Sequence, residues 1–507
     1  MQINIIEYFE KTVKIVPKKI AVIEGEKKIS FEELSLKSKV LSLELNKLNF
    51  FNKPIAVFLP KTIEAVIADI AITYSCNTYM NLDIKTPSTR IGNIIDLIKP
   101  EVIITNKNYA NVITEIDTKI PIILIDDFDF TEIKISDSIE KKIENIIDSD
   151  PLCIINTSGS TGTPKGVVLN HKSFIDFTEW AIEILQITDN EVVGSLSPLV
   201  FDIYSFELCM LMAKGSTIVL LPDSLAPFPA KILSLMLANK VTFIFWVPTI
   251  MVNIANMGLL SKIPLPDLKT VWFAGEVFPT KQFNYWRKYL TKSKFVNLYG
   301  PIEITLDCTY YIAERDIQDD EPIPIGFPCR NTDILILNEN NKLTIINEEG
   351  ELCVRGTSLA MGYYNNPEKT AAVFVQNPLN TSYPEIIYRT GDLVYKNDLG
   401  EIMFKGRKDS LIKHLGYRIE LGEIEHVIIN TLKLVENGCI VYNHAKKEIT
   451  LFYESQNNIS IAEMKKAIAE ILPKYMIPTV FHKMDELPRN VNGKIDRLQL
   501  SNMVNNG

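Results

Sequence analysis

Residues 155 to 170 read INTSGSTGTPKGVVLN, and their types suit the binding of an anion. Gly159, Gly162 and Gly166 permit close backbone approach and unusual φ, so neighbouring N–H groups can face one point. Around them stand the hydroxyls of Thr157, Ser158, Ser160, Thr161 and Thr163 and the ammonium of Lys165, all able to meet phosphate oxygens. The order Gly-x-x-x-x-Gly-Lys-Ser/Thr is absent, so the segment is not a P-loop. A Gly, Ser and Thr cluster between two apolar runs is also the usual composition of a surface turn. Taken alone, the segment leaves both readings open.

A loop of this kind needs strands to hold it. LCIIN and GVVLN on either side read as buried strands. From about residue 53, KPIAVFLP, IEAVIADIAITYS, YMNLD, IGNIIDLIKP and EVIITN alternate strand and helix patterns. The alternation returns after residue 190 with STIVLL, VTFIFWVP, TVWFAGE and KFVNLYG as strands and AKILSLMLANK as a helix. Two layered α/β subdomains follow. Between about 325 and 405, DILILNENNKL, GELCVRG and DLVYKNDLGEIMFKG read as a smaller β unit. The tail beyond holds strands at CIVYN and ITLFYE and a helix at IAEMKKAIAEIL. The expected fold class is therefore α/β: a large N-terminal domain, 1–408, and a small α+β C-terminal domain, 409–507.

Composition narrows the partners. At 507 residues, 46% of them hydrophobic, the chain has room for two to four domains and a large core. Its net charge of −9 gives no general attraction to nucleic acid or anionic lipid. No apolar run approaches the ~18 residues of a spanning helix. The start, MQINIIEYFEKT, carries two Glu where a signal peptide would be basic, so the cytosol is the default location. Seven scattered Cys without a Cys-x-x-Cys pair suit reduced core thiols.

SGSTGTPKG resembles the phosphate loop of the adenylate-forming superfamily, which includes acyl-CoA synthetases and the amino acid adenylation domains of non-ribosomal peptide synthetases. Four further motifs follow in that family's order. NLYGPIE (297 to 303) is similar to its adenine-binding segment, YRTGDL (388 to 393) to its ribose-binding one, GRKDSLIKHLGYRIELGEIE (406 to 425) to its hinge and second-step loop, and NGKIDR (492 to 497) to its C-terminal catalytic lysine. The resemblance covers nearly the whole chain and implies ATP and Mg²⁺ as cofactors. It implies that Lys165 holds the departing pyrophosphate, that Lys494 bridges the substrate carboxylate and the α-phosphate, and that Glu303 helps hold Mg²⁺. Tyr299 and Gly300 would lie beside the adenine, Asp392 and Arg407 at the ribose. Asp409 would be the hinge about which a mobile C-terminal domain turns between two half-reactions, with the Lys413 to Arg418 loop, Gly416 included, opening a channel for a thiol. Ile302 stands where the family usually has Thr, so a hydroxyl near the α-phosphate is missing and Thr305 is the candidate replacement.

The segment FDIYSFEL resembles the family stretch whose Asp pairs with an amino acid's α-ammonium. That makes Asp202 the decisive substrate residue; an N-cap on the following helix is the other reading, and both can hold. The resemblance carries the substrate pocket onto Asp202, Ile203, Phe206, Phe245, Trp272, Ala274, Leu298, Leu306 and Asp307, closed by Lys494. Three large rings imply a small substrate side chain, although buried strand aromatics are more often plain core. Asp307 could accept from a hydroxyl or pair with an amine, which puts serine first, then alanine, glycine or a short diamino acid. The implied acceptor is the phosphopantetheine thiol of a separate carrier protein, since neither a carrier segment nor a condensation domain fits in this length. The alternatives are a D-alanine:carrier-protein ligase, an acyl-CoA or aryl-CoA synthetase, and a nucleotide-binding protein that has lost catalysis.

Overall fold

Short apolar runs that end in Pro, Asn or Asp form the strands, and the longer runs between them form helices that cover those strands. The computed structural model describes residues 2–116, 119–130, 138–157, 164–408, 411–455, 459–489 and 495–505. Pro54–Val57 is buried at every position, as a strand covered on both faces must be. It lies within a sheet ordered Gly362–Tyr363, Lys165–Asn170, Pro151–Thr157, Thr78–Asn81, Pro54–Val57, Val102–Thr105, Ile122–Leu124. The last five of these run parallel. Pro151–Thr157 and Lys165–Asn170 are antiparallel, with Thr157 opposite Lys165.

The second sheet is ordered Phe327–Pro328, Thr309–Ile312, Lys294–Tyr299, Thr270–Phe273, Phe243–Trp246, Val192–Ser195, Thr217–Leu220, Ile20–Glu24, Lys27–Ser30. Its central strands are parallel. Between the two sheets lies the helix Asp202–Lys214, buried from Ile203 to Met212. Helix Ile5–Ile15, capped by Asn4, packs on it, and Thr12 donates to the Met212 carbonyl at 2.7 Å. The strand Ile20–Glu24 that follows this helix joins the second sheet with Val22 opposite Ile218.

The smaller β unit pairs Thr332–Leu337, Gly350–Gly356, Ile386–Lys396 and Phe374–Gln376, with Ile402–Arg407 pairing the later residues of Ile386–Lys396, from Asp392 to Lys396. Beyond it, Leu411–His414 and Tyr417–Glu420 form a two-stranded hairpin. Asn437–Asn443, Glu448–Glu454 and Val480–Lys483 form a three-stranded sheet. Ile419, Ile424, Ile440, Leu451 and Met464 share one hydrophobic cluster there. All seven Cys are buried and unpaired. Among the described residues no helix is long and apolar enough to cross a membrane.

Candidate active site

Both sheets end their parallel strands toward one cavity of about 160 Å³. Asn81 and Thr157 end strands of the first sheet, while Ala274 and Gly300 follow strands of the second; all four line the cavity. Ligands of open α/β sheets collect at such carboxyl ends. The hairpin Leu411–His414/Tyr417–Glu420 closes the remaining side with Lys413, Gly416, Tyr417 and Arg418.

Asp202 opens its helix, and the residue at the N-cap position is Phe201, which makes no side-chain cap bond. The N-cap reading of Asp202 is corrected by one position. Its Oδ1 instead accepts from the Ile203 N–H at 3.0 Å. Burial pushes its carboxyl up to about 6, against the pull of that N–H and of Lys413. Asp307 faces the same space, and burial, then the Asp202 charge, raises its carboxyl well above the usual range. The turn that presents Asp307 puts Thr305 and Leu306 at φ of 54° and 65°. Non-glycine residues pay on the order of 1–2 kcal/mol each for that conformation. Gly300 makes the turn possible, because a Cβ there would lie 2.3 Å from the Leu306 carbonyl oxygen.

Of the pocket residues carried over from the resemblance, Asp202, Ile203, Phe245, Ala274, Leu306 and Asp307 line the cavity. Phe206, Trp272 and Leu298 lie behind it in the core. Phe206 stacks on Trp272 at 5.4 Å and 7°, and Phe245 meets the same indole edge-on at 5.3 Å. Packing of this density leaves no depth behind Phe245.

Next to the cavity, reached through Arg418, stands a group of charge pairs of which only Arg418 itself lines the cavity. Glu303 is fully buried; its Oε1 accepts from the Tyr363 hydroxyl at 2.8 Å and its Oε2 from Arg418 at 2.5 Å. Burial alone would raise its carboxyl, but Arg418 and these hydrogen bonds hold it below its ordinary range. Lys165 pairs with Glu420 at 2.7 Å, its ammonium 5.5 Å from the Tyr363 ring centre. Asp392 accepts from the Tyr299 hydroxyl and, at 2.5 Å, from Arg407. Burial lowers the Lys413 ammonium, with Asp392 and Asp307 opposing that shift.

These groups fit a nucleotide and a divalent ion chemically. Glu303 is a buried carboxylate already compensated by a cation, and Lys165 is already compensated by an acid. Among the described residues no three His, Cys, Asp or Glu side chains converge as a metal site. A hard ion at Glu303 would therefore share it with phosphate oxygens.

Ser158, Gly159, Ser160, Thr161, Gly162, Thr163, Asp409 and Lys494 lie outside the described residues. Tyr299, Asp392 and Arg407 come together behind the cavity wall. Ile302 lines the cavity, whereas Thr305 does not; its hydroxyl is buried without a hydrogen-bond partner. Thr305 is thus no replacement donor in this conformation, because the turn that exposes Leu306 and Asp307 directs it into the core. Sequence reasoning missed Tyr363 and Glu420 as partners of Glu303 and Lys165, and Arg90, which lines the cavity and pairs with buried Glu423. The alternation in Arg418-Ile419-Glu420 was the available signal, since it puts both charges on one face of a strand.

A family model described as AMP-binding enzyme matches residues 9–364. The chain is 32% identical to zwittermicin A synthase ZmaJ of Bacillus cereus, over 97% of this chain and 94% of that protein. It is 30% identical to tyrocidine synthase 1 of Brevibacillus parabrevis over 98% of its own length, which spans 45% of that relative. Among solved structures, the Vibrio cholerae adenylation domain AlmE matches with a TM-score of 0.86 at 20% identity, covering 99% of this chain and 98% of that one.

Proposed function

The chain belongs to the AMP-binding enzyme family and is an adenylation domain of the adenylate-forming superfamily, and from that premise we propose that it activates a small amino acid as its aminoacyl-AMP and passes it to a carrier thiol. In the first step a carboxylate oxygen of the amino acid attacks the α-phosphorus of ATP. The bond from that phosphorus to the bridging oxygen breaks, and pyrophosphate leaves. In the second, the phosphopantetheine thiol of a separate carrier protein attacks the carbonyl carbon and AMP departs.

One observation carries the amino acid reading: the half-buried Asp202 carboxylate lines the same cavity as Thr157 and Gly300 at the nucleotide side. An α-ammonium would satisfy that carboxylate, whereas a fatty or aryl acid would leave it unpaired. Asp307 favours a side chain with a hydrogen to donate, so serine comes first, ahead of alanine, glycine and a short diamino acid. Lys165 and the loop of residues 158 to 163 would hold the outer phosphates, Glu303 the Mg²⁺, and Asp392 with Arg407 the ribose. Bound Mg²⁺ would neutralise charge that builds on the phosphates. Lys494 would bridge the attacking carboxylate and the α-phosphate, and rotation about Asp409 would then remove it.

Exchange of labelled pyrophosphate into ATP, screened over L- and D-amino acids and short carboxylic acids, tests this. Exchange that depends on a small L-amino acid is the expected result. Dependence on D-alanine supports the D-alanine:carrier ligase instead, dependence on an acid lacking the amine supports an acyl-CoA synthetase, and no exchange with any of them ends the adenylation reading.

A further inference from the structure

The helix Ile63–Tyr74 is buried at every position but Glu64, and in its middle stands an acid, Asp69, at 0% exposure. Its Oδ2 accepts from the Tyr204 hydroxyl at 2.8 Å and from the Asn81 amide at 3.1 Å. Those two donors come from different walls of the active-site cavity. Asn81 ends the strand Thr78–Asn81 of the first sheet and lines the cavity, while Tyr204 lies in the first turn of the helix that presents Asp202. Among the described residues no cation offsets Asp69, and the titratable groups that face it are Tyr79, Cys153 and Tyr204. A carboxyl buried without a counter-charge takes a proton rather than stay ionised. Two acceptors are also left over: Asp69 Oδ1 and Asn81 Oδ1 are buried without a hydrogen-bond partner. They belong to side chains already joined by one hydrogen bond, so a single proton between them serves both. Burial pushes the Asp69 carboxyl up to about 7, against the pull of its two donors.

We propose that Asp69 is a positioning residue for the amino acid: as a neutral acid closed in a ring with the Asn81 amide, it holds the Tyr204 hydroxyl and with it the helix turn that carries Asp202. The inference rests on the function proposed above. In the ring, Asn81 Nδ2–H donates to Asp69 Oδ2 and Asp69 Oδ1–H donates to Asn81 Oδ1, so both orphaned oxygens are met. The first-sheet wall and the Asp202 turn are thereby fixed to one group, and the ammonium site is set before the substrate arrives. The proton also spares Asp202 a like charge, since both acids act on one buried thiol, Cys153.

Pyrophosphate exchange by the full chain and its Tyr204→Phe, Asp69→Asn and Asp69→Leu variants, run at about pH 6.5 where the acid is neutral, tests this. Tyr204→Phe should raise KM for the amino acid by about two- to tenfold, the worth of one ordinary hydrogen bond, and leave KM for ATP unchanged. Asp69→Leu should raise it at least as much. Asp69→Asn should keep the parent value, because its amide replaces both the shared proton and the acceptor. A merely structural role predicts lower stability with both KM values unmoved, or both moved together. Difference infrared spectra, parent minus Asp69→Asn, should show the carbonyl stretch of a protonated acid at about pH 5 that fades above about pH 8. If Asp69→Leu does not fold, the other two variants carry the test. An amino acid KM that Tyr204→Phe leaves unchanged, a rise in Asp69→Asn as large as in Tyr204→Phe, or a difference spectrum without the acid band overturns the proposal. If exchange in the parent depends on an amino acid under those outcomes, the proposed function stands without it. A parent whose exchange ignores every amino acid removes both.

Discussion

The two sides of the cavity are held together by different physics. On the substrate side, Phe206, Phe245 and Trp272 are each 0% exposed and touch one another, so their positions follow from packing. On the nucleotide side, Glu303, Lys165 and Asp392 are held by partners 115, 255 and 15 positions away in the chain. Packed rings have nowhere else to go, and a change there is felt as lost stability. Charge pairs can trade one partner for another, and a change there is felt as altered binding or rate.

Trp272→Ala should show the largest effect and fall on stability, at about 3–5 kcal/mol for a fully buried aromatic, read by chemical denaturation. The same variant should accept larger side chains in pyrophosphate exchange. Because the Trp272 indole N–H has no hydrogen-bond partner, Trp272→Phe gives up packing alone and should cost clearly less. A Trp272→Ala protein as stable as its parent would break the contrast at once.

Lys494→Ala should do the reverse, with adenylation falling about a hundredfold or more, equivalent to ~3 kcal/mol of transition-state stabilisation, and denaturation unchanged. Transfer from a supplied aminoacyl adenylate should survive in a single-turnover assay. Equal loss of both steps would contradict the use of one site in two arrangements.

What could be read from the sequence divides along the same line. The run VTFIFWVP declared a buried strand by its own residues, and Phe243–Trp246 is buried at all four positions. The strand Ile20–Glu24 did not, because its partner Ile218 lies some two hundred residues on and only the folded sheet unites them. Asp202 was legible as a polar residue at a helix start, but its exact place was not, since Phe201 and Asp202 differ by one φ/ψ setting. The direction of Thr305 was hidden for a related reason: two successive residues at positive φ turn its hydroxyl away from the cavity, and their types do not advertise that conformation.

Asp202 offers a smaller, pH-dependent test that touches both sides. Its folded carboxyl titrates at about 6, above the ~3.9 of an unfolded chain, so between those values the folded state holds the extra proton. Stability should therefore fall as pH rises through that window, and Asp202→Asn should flatten the slope. Substrate binding should run the other way, because only the ionised acid pairs with an ammonium. KM for the amino acid should rise up to about tenfold per unit below pH 6, while Asp202 leaves KM for ATP unchanged over the same range. A KM for the amino acid that ignores pH across this window would remove Asp202 from the ammonium site.

Ile302→Thr is the mildest change and the sharpest test of where the two sides meet. Ile302 lines the cavity beside Gly300 and Pro301, between the packed and the charged walls. A threonine there would add one hydroxyl on the nucleotide side, worth ~0.5–1.5 kcal/mol, so exchange should quicken by no more than about tenfold. Thr305→Ala should leave the rate alone, since its hydroxyl neither lines the cavity nor has a partner to lose. A gain above about a hundredfold from Ile302→Thr exceeds one ordinary hydrogen bond and would mean that the isoleucine distorts the Leu306–Asp307 turn as well. A loss in Thr305→Ala would mean that the turn rearranges when nucleotide binds, bringing the hydroxyl round to the phosphate.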